Sequence, residues 1–399
     1  MLFLAFRNIF RNKRRTFMTV LILGVSFTLL MLINSYVTTM YDILKKGSIE
    51  QTGHVQIQAR DTGKDNPLIG VSDILMIEKS LAGNSKVYDI AKELDVSGLV
   101  GTDMRSTIFN AVGVEYAKKG AASSLTLVSG FNLTREDYDK ESLLLSSEIA
   151  QKINVKEGHY VVLVVTNSDG VLNLSNGYIN GLVSTGQTDR DLYFVSLPLK
   201  FAQTLLGTEG VSRMMIYLDD EKSIDSIIVQ LKGLIEENNL NLIVKDWKEL
   251  ASYYFGLKNL YDFIFAFVFV IICVLVALSV SEIISIGLFE RFREIGTMRA
   301  IGTKKNEVFV LLLLETLLYN ISGIAFGVIF ALIISSGTNM ARITFVPPGQ
   351  NAAVPFMFNL NITHTFLPVG LLLFVSFLST IFPIIKTTKM RIVEVIRHV

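Results

Sequence analysis

The chain has 399 residues, of which half are hydrophobic, and 37 Lys and Arg residues nearly balance 36 Asp and Glu residues. This composition, with a mean hydropathy of +0.47, excludes a single soluble globular domain, and the length is enough for about two or three domains. The single cysteine, Cys273, excludes a disulfide framework and a thiolate metal site.

Four long segments without Asp, Glu, Lys or Arg predict a helical membrane protein with four transmembrane helices. They are residues 16–41, 263–281, 316–341 and 344–385. A helix needs about 20 apolar residues to cross the hydrocarbon core, so each segment is long enough. Prolines and a glycine between 347 and 355 break the last segment, which leaves Phe366–Ile385 for its helix. We therefore place the spans at 16–40, 258–289, 306–337 and 364–386.

The first segment could instead be a signal peptide, because it follows Arg11, Lys13, Arg14 and Arg15. Its apolar run is longer than the core of a signal peptide, and no cleavage site with small residues closes it. We therefore predict an uncleaved membrane helix.

Residues 41–257, between the first two spans, predict a large α+β domain. The strand candidates alternate or are β-branched: His54–Gln58, Ile108–Val114, Tyr160–Thr166, Asp191–Leu197, Ser212–Leu218 and Asn241–Lys245. The helix candidates are Val87–Leu94, Ser146–Ile153, Leu199–Leu206 and Ser223–Glu237. Turn-rich segments at Asn167–Gly170, Leu174–Gly177 and Asn180–Gln187 predict an inner subdomain at about 105–197. Amphipathic stretches after the first span and at Asp246–Asp262 predict stalk helices.

The loop at 290–305, between the second and third spans, carries charges of both signs. Leu288, Phe292 and Ile295 are spaced to share one face of a helix. A short amphipathic helix could lie on the lipid surface, but Glu290 and Glu294 would fit poorly beside anionic headgroups. We therefore favour a protein partner that takes the apolar stripe into a groove, with the charges fixing the register.

Two carboxylates, Glu282 and Glu315, are predicted near the cytoplasmic ends of the second and third spans. An ionisable residue inside a membrane is a candidate functional group. Their position favours interfacial anchoring or a helix–helix contact, because a neighbouring Lys or Arg can pair there. In the third span, Gly323 and Gly327 form a G-x-x-x-G face that permits close helix packing.

The charge distribution predicts the orientation. Positive charges are concentrated at Arg7–Arg15, Arg291–Lys305 and Lys386–Arg397, so these segments and both termini are cytoplasmic by the positive-inside rule. Residues 41–257 carry 21 Lys and Arg against 29 Asp and Glu, a net charge of −8, and the rest of the chain carries +9. Residues 41–257 and 338–363 are then extracytoplasmic.

The sequence contains no recognisable catalytic constellation. Its histidines are scattered, at His54, His159, His364 and His398, without a carboxylate partner at metal-ligand spacing. It also contains no G-x-x-x-x-G-K-[ST] motif, so it has no P-loop for ATP. We therefore expect neither an enzyme nor a metal site on this chain.

The loop sequence Arg293-Glu-Ile-Gly-Thr-Met-Arg-Ala-Ile-Gly302 resembles the REIG-x-x-RA-x-G signature of the FtsX/MacB-like permeases of ABC transporters. In that family the segment is the coupling helix, which docks on the ATPase. The resemblance implies that the ATPase contact includes Arg291, Phe292, Arg293, Glu294, Ile295, Gly296, Met298, Arg299 and Gly302.

Other segments extend this resemblance over the whole chain: Ala5–Arg15, Leu314–Leu317, Pro383 and Arg391–Arg397. They are similar to the family's amphipathic N-terminal helix, third span and C-terminal end. The resemblance makes residues 1–15 a cytoplasmic amphipathic helix and residues 387–399 a cytoplasmic tail. The family often has proline where this chain has Ile392 or Val393, which affects only the geometry of that tail.

Segments of the inserted domain are similar to the LolC/LolE branch, which releases lipoproteins: Gly53–Ile57, Leu144–Ser147 with Ala150, and Asn154–Gly158. This branch implies extraction of lipoproteins from the bacterial inner membrane and their transfer to a soluble periplasmic carrier. The family implies two ATPase subunits that bind ATP and Mg, and a second permease, identical or paralogous, in contact with membrane lipids. No cofactor on this chain and no nucleic acid is implied.

Three other classes of protein would share this topology. A MacB-like efflux permease is expected to carry an ATPase fused before its first span, where this sequence begins directly with its membrane helix. An FtsX-like regulator of cell-wall hydrolases transmits a signal, and its outer domain is expected to be smaller than residues 41–257. An unrelated receptor or adhesion protein would not need the coupling helix.

Overall fold

The computed structural model describes residues 3, 6, 7, 11, 13–60, 67–116, 118–120, 125–346 and 353–389. The chain divides into two compact units. The membrane unit consists of Met1–Asp42, Leu257–Ile343 and Pro355–Val399, and the inserted domain consists of Ile43–Gly256 and Thr344–Val354. Most of the predicted N-terminal helix, and residues 390–399 of the predicted tail, lie outside the described residues.

The described residues form these helices in chain order: α1 (Lys13–Thr52), α2 (Val71–Leu81), α3 (Ser147–Ile153), α4 (Thr188–Asp191), α5 (Leu199–Leu206), α6 (Ile224–Glu237), α7 (Trp247–Leu250), α8 (Ser252–Glu290), α9 (Phe292–Ala300), α10 (Lys305–Ala341) and α11 (Ile362–Lys389). Short 3-10 turns lie at Arg135–Asp139 and Glu221–Ser223. The strands are β1 (Val55–Ala59), β2 (Val87–Gly101), β3 (Ser106–Val114), β4 (Thr126–Gly130), β5 (Ser142–Ser146), β6 (Tyr160–Thr166), β7 (Leu172–Ser184), β8 (Phe194–Pro198), β9 (Arg213–Leu218), β10 (Leu242–Asp246), β11 (Thr344–Phe345) and β12 (Val354–Pro355).

Within the described residues, 4 helices are long and apolar enough to cross a membrane: Thr16–Thr52, Ser252–Glu290, Lys305–Ala341 and Thr365–Lys386. This confirms the prediction of four spans with an α+β domain inserted between the first and the second. All four reach the length of about 20 residues that a bilayer requires, and the first three are much longer. The limits of the spans within these helices, and the stalk, stay predictions.

The interior of the membrane unit is an apolar cluster to which all of these helices contribute. It includes Leu23, Phe27, Val276, Val280, Leu312, Tyr319, Leu372 and Ile384. Most large apolar side chains of α8 are exposed instead. This distribution is typical of helices whose outer faces contact lipid or another membrane helix.

The inserted domain is built on one ten-stranded mixed sheet with the order β10-β1-β9-β2-β3-β8-β5-β7-β4, and β6 pairs with β2 and β7. Two apolar clusters pack helices onto it. In one, Ile149 of α3 and Phe201 of α5 pack with residues of β2, β3 and β5 to β8. In the other, Ile77 of α2 and Leu231 of α6 pack with residues of β1 and β9. The first cluster runs from Leu94 to Leu205, close to the predicted inner subdomain.

The predicted helix at Val87–Leu94 is wrong, because these residues belong to the long strand β2. Their apolar positions have helical spacing, but β2 pairs with β9 on one side and with β3 on the other. The register of β2 against β9 shifts between Val87 and Asp89, so the apolar residues do not alternate there and their spacing resembles that of a helix. The predicted turn at Leu174–Gly177 is also wrong, since it lies within β7.

Residues 41–257, expressed without the membrane helices, should be soluble and should unfold cooperatively. A domain of this length buries enough apolar surface for an independent core, and both helix-packing clusters close within residues 43–256. Thermal unfolding followed by circular dichroism should show a folded α+β protein with a cooperative transition. A reproducibly aggregated or disordered product would contradict these domain limits.

Candidate functional site

The loop between the second and third spans contains the short helix α9, which follows α8 almost without interruption. Arg291 separates the two helices, and its carbonyl oxygen accepts a hydrogen bond from the amide of Ile295 at 2.9 Å. At the other end, Thr303 donates to the carbonyl oxygen of Met298 at 3.0 Å. Gly302 has a φ of +108° there, a conformation that favours glycine. This glycine therefore ends the helix and turns the chain towards α10.

One face of α9 is buried in the membrane unit. Phe292, Ile295 and Gly296 are buried, and the first two belong to the same apolar cluster as Leu288 and Val308. The apolar stripe predicted to enter a partner's groove therefore packs inward. The periodicity identified the residues that share this face, but the chain's own helices cover it.

The opposite face of α9 is exposed. Arg293, Glu294 and Thr297 are exposed, and Met298 and Arg299 are partly exposed. Just beyond the helix, the side chain of Ile301 is 82% exposed. This surface combines charges of both signs with one large exposed apolar side chain.

A buried ion pair fixes the start of α9 to α10. Arg291 Nη1 lies 2.9 Å from Glu315 Oε1 and 3.0 Å from Oε2, and these side chains are only 7% and 6% exposed. A cavity of about 10 Å³ adjoins the pair, roughly the space of one water molecule. Both residues were singled out from the sequence, Arg291 as an ATPase contact and Glu315 as a membrane carboxylate. The structure brings them together, which gives Glu315 its partner and removes Arg291 from the surface.

A second ion pair involves the exposed face of α9. Arg11 Nη2 lies 2.5 Å and 2.7 Å from the two carboxylate oxygens of Glu294. The hydrogen bond to Glu294, with its charge, raises the pKa of the Arg11 guanidinium. The side chains are 51% and 50% exposed, and such surface pairs contribute about 0–1 kcal/mol. Glu294 is therefore accessible to a partner that competes with Arg11.

The other membrane carboxylate, Glu282, has a different environment. It lies eight residues before the end of α8, about 12 Å along the helix, and is exposed.

The predicted glycine face packs closely against α1. A Cβ atom at Gly323 would lie 2.7 Å from Leu23 Cβ, and one at Gly327 would lie 2.7 Å from Phe27 Cβ. Thr28 Oγ1 also donates to the carbonyl oxygen of Gly327 at 3.3 Å. Gly24 of α1 completes the contact, because a Cβ atom there would overlap Phe326. Helix α1 has no second glycine at the spacing of a G-x-x-x-G motif. No sequence motif marked Gly24.

Replacing Gly327 with Leu should destabilise the membrane unit by about 1–3 kcal/mol, because overpacking forces the helices apart. Gly337→Leu is a matched control on the same helix, since a Cβ atom at Gly337 would meet nothing within 4 Å. Thermal unfolding of the detergent-purified proteins should show a lower melting temperature for Gly327→Leu alone. Equal melting temperatures would contradict the close contact.

Among the residues that the structure describes, there is no group of three or more His, Cys, Asp or Glu side chains that could hold a metal ion.

Two family models match the sequence. The FtsX-like permease C-terminal model matches residues 263–392, and the MacB-like periplasmic core domain model matches residues 16–234. The second match alone covers more than half of the chain. The chain belongs to the FtsX/MacB family of permeases. It is thus an ABC transporter permease of this type and a multi-pass membrane protein, and the resemblance inferred from the loop motif is confirmed.

Relatives of this FtsX/MacB-type permease include the macrolide export ATP-binding/permease protein MacB of Chlorobium phaeobacteroides, which is 24% identical over 362 residues. That match covers 81% of this chain and 51% of the relative, so the chain spans about half the length of the curated relative.

Two solved extracytoplasmic regions have a low overall similarity to the permease. The extracellular domain of the ABC-type transporter YknZ from Gram-positive bacteria has a TM-score of 0.37 and 14% identity, covering 48% of this chain and 99% of that chain. The periplasmic region of MacB from Actinobacillus actinomycetemcomitans has a TM-score of 0.37 and 16% identity, covering 50% of this chain and 92% of that chain.

Proposed function

We propose that this permease couples ATP hydrolysis on a separate subunit to movement of its inserted domain, and that α9 is its coupling helix. The observation that carries the proposal is the two-sided construction of α9. One face and the Arg291–Glu315 pair attach it to the membrane unit. The other face presents Arg293, Glu294 and Ile301 to a partner.

The contacts within the membrane unit offer a path for this movement. The ion pair joins the start of α9 to Glu315 of α10. Further along α10, the glycine contacts pack it against α1. Because α1 and α8 are the helices that lead into the inserted domain, we infer that a displacement of α9 is passed along these helices towards that domain.

The proposed complex has two copies of a permease, identical or paralogous, and two ATPase subunits that bind ATP and Mg. The proposed location is the bacterial inner membrane, with both termini in the cytoplasm, as the positive-inside rule indicates. Of the predicted coupling residues, Arg293 and Glu294 lie on the exposed face of α9, with Met298 and Arg299 at its edge.

The proposed substrate is a lipoprotein that is extracted from the membrane and passed to a soluble periplasmic carrier. Similarity of Gly53–Ile57, Leu144–Ser147 and Asn154–Gly158 to the LolC/LolE branch supports this choice. Burial of an acyl chain contributes about 0.8 kcal/mol per CH₂ group, so extraction of several chains requires an external source of free energy. A mechanical coupling device could supply it without moving the substrate through the bilayer interior.

Two alternatives have support of their own. Macrolide efflux is favoured by the MacB relative, whose name states that activity. Signalling to cell-wall hydrolases is favoured by the match of residues 263–392 to the FtsX-like model. Both alternatives keep α9 as the coupling helix and differ only in what the inserted domain acts on.

Proteoliposomes that contain the permease, its ATPase and a fluorescent acylated lipoprotein would test the proposal. ATP together with a soluble carrier should release the lipoprotein into the aqueous phase, and the permease without ATPase should show neither hydrolysis nor release. ATP-dependent macrolide movement, or activation of a hydrolase without lipoprotein release, would replace the proposed substrate with an alternative. ATP hydrolysis by this purified chain would contradict the assignment of the ATPase to a separate subunit.

A further inference from the structure

His54 lies at a point of the inserted domain where three segments meet. It follows the end of α1 at Thr52 and precedes β1, which begins at Val55. Its amide donates to the carbonyl oxygen of Ile216 in β9 at 2.9 Å, and its carbonyl oxygen accepts from the amide of Trp247 at 3.2 Å. Trp247 is the first residue of α7. The backbone of His54 therefore connects the end of α1, β9 and the segment that leads to α8.

The imidazole of His54 adds a side-chain hydrogen bond to this junction. Its Nδ1 accepts from the amide of Leu218 at 3.1 Å, and Leu218 is the last residue of β9 and is buried. The ring also meets the ring of Tyr217 edge-on, with the centroids 6.5 Å apart. A backbone amide can only donate, so Nδ1 carries no proton here and the neutral ring has its proton on Nε2.

A proton on Nδ1 would place two donors opposite each other and break this hydrogen bond. The buried amide of Leu218 would then lose this acceptor, and a buried donor without an acceptor is costly. The two backbone hydrogen bonds of His54, to Ile216 and Trp247, do not involve the ring. Protonation would therefore weaken the junction without removing it.

The surroundings of His54 favour the neutral ring. Burial disfavours the charged imidazolium and lowers the pKa of His54. The charged side chains around it act in both directions, since Glu221 and Asp246 raise this pKa, and Lys119 and Lys45 lower it. Lys45 and Glu221 also form an ion pair with a distance of 2.7 Å between Nζ and Oε2. Their effects on the ring oppose each other, and burial decides the direction.

We propose that His54 is a pH-dependent clasp of the inserted domain, in which the neutral ring holds the end of β9 beside the end of α1 and the protonated ring releases it. An unfolded histidine has a pKa of about 6.5, and the folded protein binds this proton less readily. The clasp therefore stabilises the fold fully above about pH 6.5, and its contribution is lost as the pH falls through the lower pKa of the folded state. Only its effect on the transmission of movement rests on the proposed function, because α1 leads from the membrane unit to this junction.

The fluorescence of Trp247 tests the proposal in the full-length, detergent-purified protein. Trp247 is the one tryptophan of the chain, is 3% exposed and is bonded to His54 through its amide. Its emission should change in a transition below about pH 6.5. His54→Asn should remove this transition, because the asparagine Oδ1 can accept from the amide of Leu218 but does not titrate. The same titration curve in both proteins would overturn the proposal.

His159→Asn is the matched control. His159 also belongs to the inserted domain, is exposed, and accepts a hydrogen bond on Nδ1 from the amide of Lys156 at 3.3 Å. It therefore shares the type of bond with His54 but not its position at the junction. The Trp247 transition should persist in His159→Asn, and its loss there would overturn the proposal.

Hydrogen exchange of the peptide that contains Leu218 provides a second readout. After correction for the intrinsic exchange rate, protection in the original protein should be at least about fivefold lower at about pH 5 than at about pH 8. His54→Asn should be equally protected at both values, and His54→Ala should be weakly protected at both. Equal protection at both values in the original protein would overturn the clasp. That result would leave the role of α9 untouched, because no residue of α9 takes part in the junction.

Discussion

Replacing Glu315 with Leu, or Arg291 with Met, should destabilise the membrane unit by about 3–5 kcal/mol, because each change removes one side of a buried ion pair. The pair has two contacts of 2.9 Å and 3.0 Å and is almost fully buried. The melting temperature of the detergent-purified permease, measured for each variant, should fall by several degrees or more. Complex formation with the ATPase should fall as well, since α9 loses one of its attachments to α10.

The double variant Arg291→Met/Glu315→Leu is the control for this pair. Replacing a buried ion pair with apolar residues of similar size is often neutral or stabilising, so the double variant should recover most of the melting temperature. A double variant as unstable as the sum of the two single variants would show that the residues act independently. That result would remove the pair from the proposed path.

Replacing Glu294 with Lys should weaken binding of the ATPase by about 2–5 kcal/mol, the cost of losing a charged partner in a buried contact. Met298→Asp should have a similar effect by placing a charge at the edge of the contact. Membrane insertion should be unchanged, because the added positive charge strengthens the positive-inside bias. Pull-down of the ATPase with the purified variants measures the effect, and Glu141→Lys, an exposed position of the inserted domain, is the control for general damage.

A charge exchange distinguishes two roles of Glu294: a contact with the ATPase, and the internal ion pair with Arg11. The double variant Arg11→Glu/Glu294→Lys restores an internal ion pair with reversed charges. Since the original pair is half exposed and contributes about 0–1 kcal/mol, this exchange should not restore ATPase binding. Full recovery would show that Glu294 acts through Arg11. Wild-type binding and transport in both Glu294→Lys and Met298→Asp would contradict the coupling assignment.

The spans were predictable from the sequence because the bilayer imposes a simple rule. Every backbone polar group inside lipid must be satisfied within the chain, so a long uncharged apolar segment becomes a helix. The inserted domain follows no such rule. In Val87–Leu94 the local spacing favoured a helix, and pairing with β9 and β3 decided for a strand. Strand β9 begins more than a hundred residues after Val87, so the local sequence does not reveal this pairing.

The sequence was enough to predict which residues belong to the candidate site. It was not enough to predict which residues they contact. The spacing of Leu288, Phe292 and Ile295 identified the buried face of α9, yet periodicity does not show what covers a face. The partners of Glu294 and Glu315 lie 283 and 24 residues away, and no local pattern connects them. Ile301 belongs to the motif, but only its exposure marks it as a surface residue.

Site-specific photo-crosslinking to the ATPase tests the central claim most directly. A photoreactive amino acid at position 301 replaces a side chain that is 82% exposed beside α9, and one at position 340 replaces a side chain that is 85% exposed at the far end of α10. Position 340 lies about 53 Å along α10 from its first residue, Lys305. In a complex that hydrolyses ATP, the probe at 301 should crosslink to the ATPase and the probe at 340 should not. No crosslink at 301, or equal crosslinking at both positions, would contradict the assignment of α9 as the coupling helix.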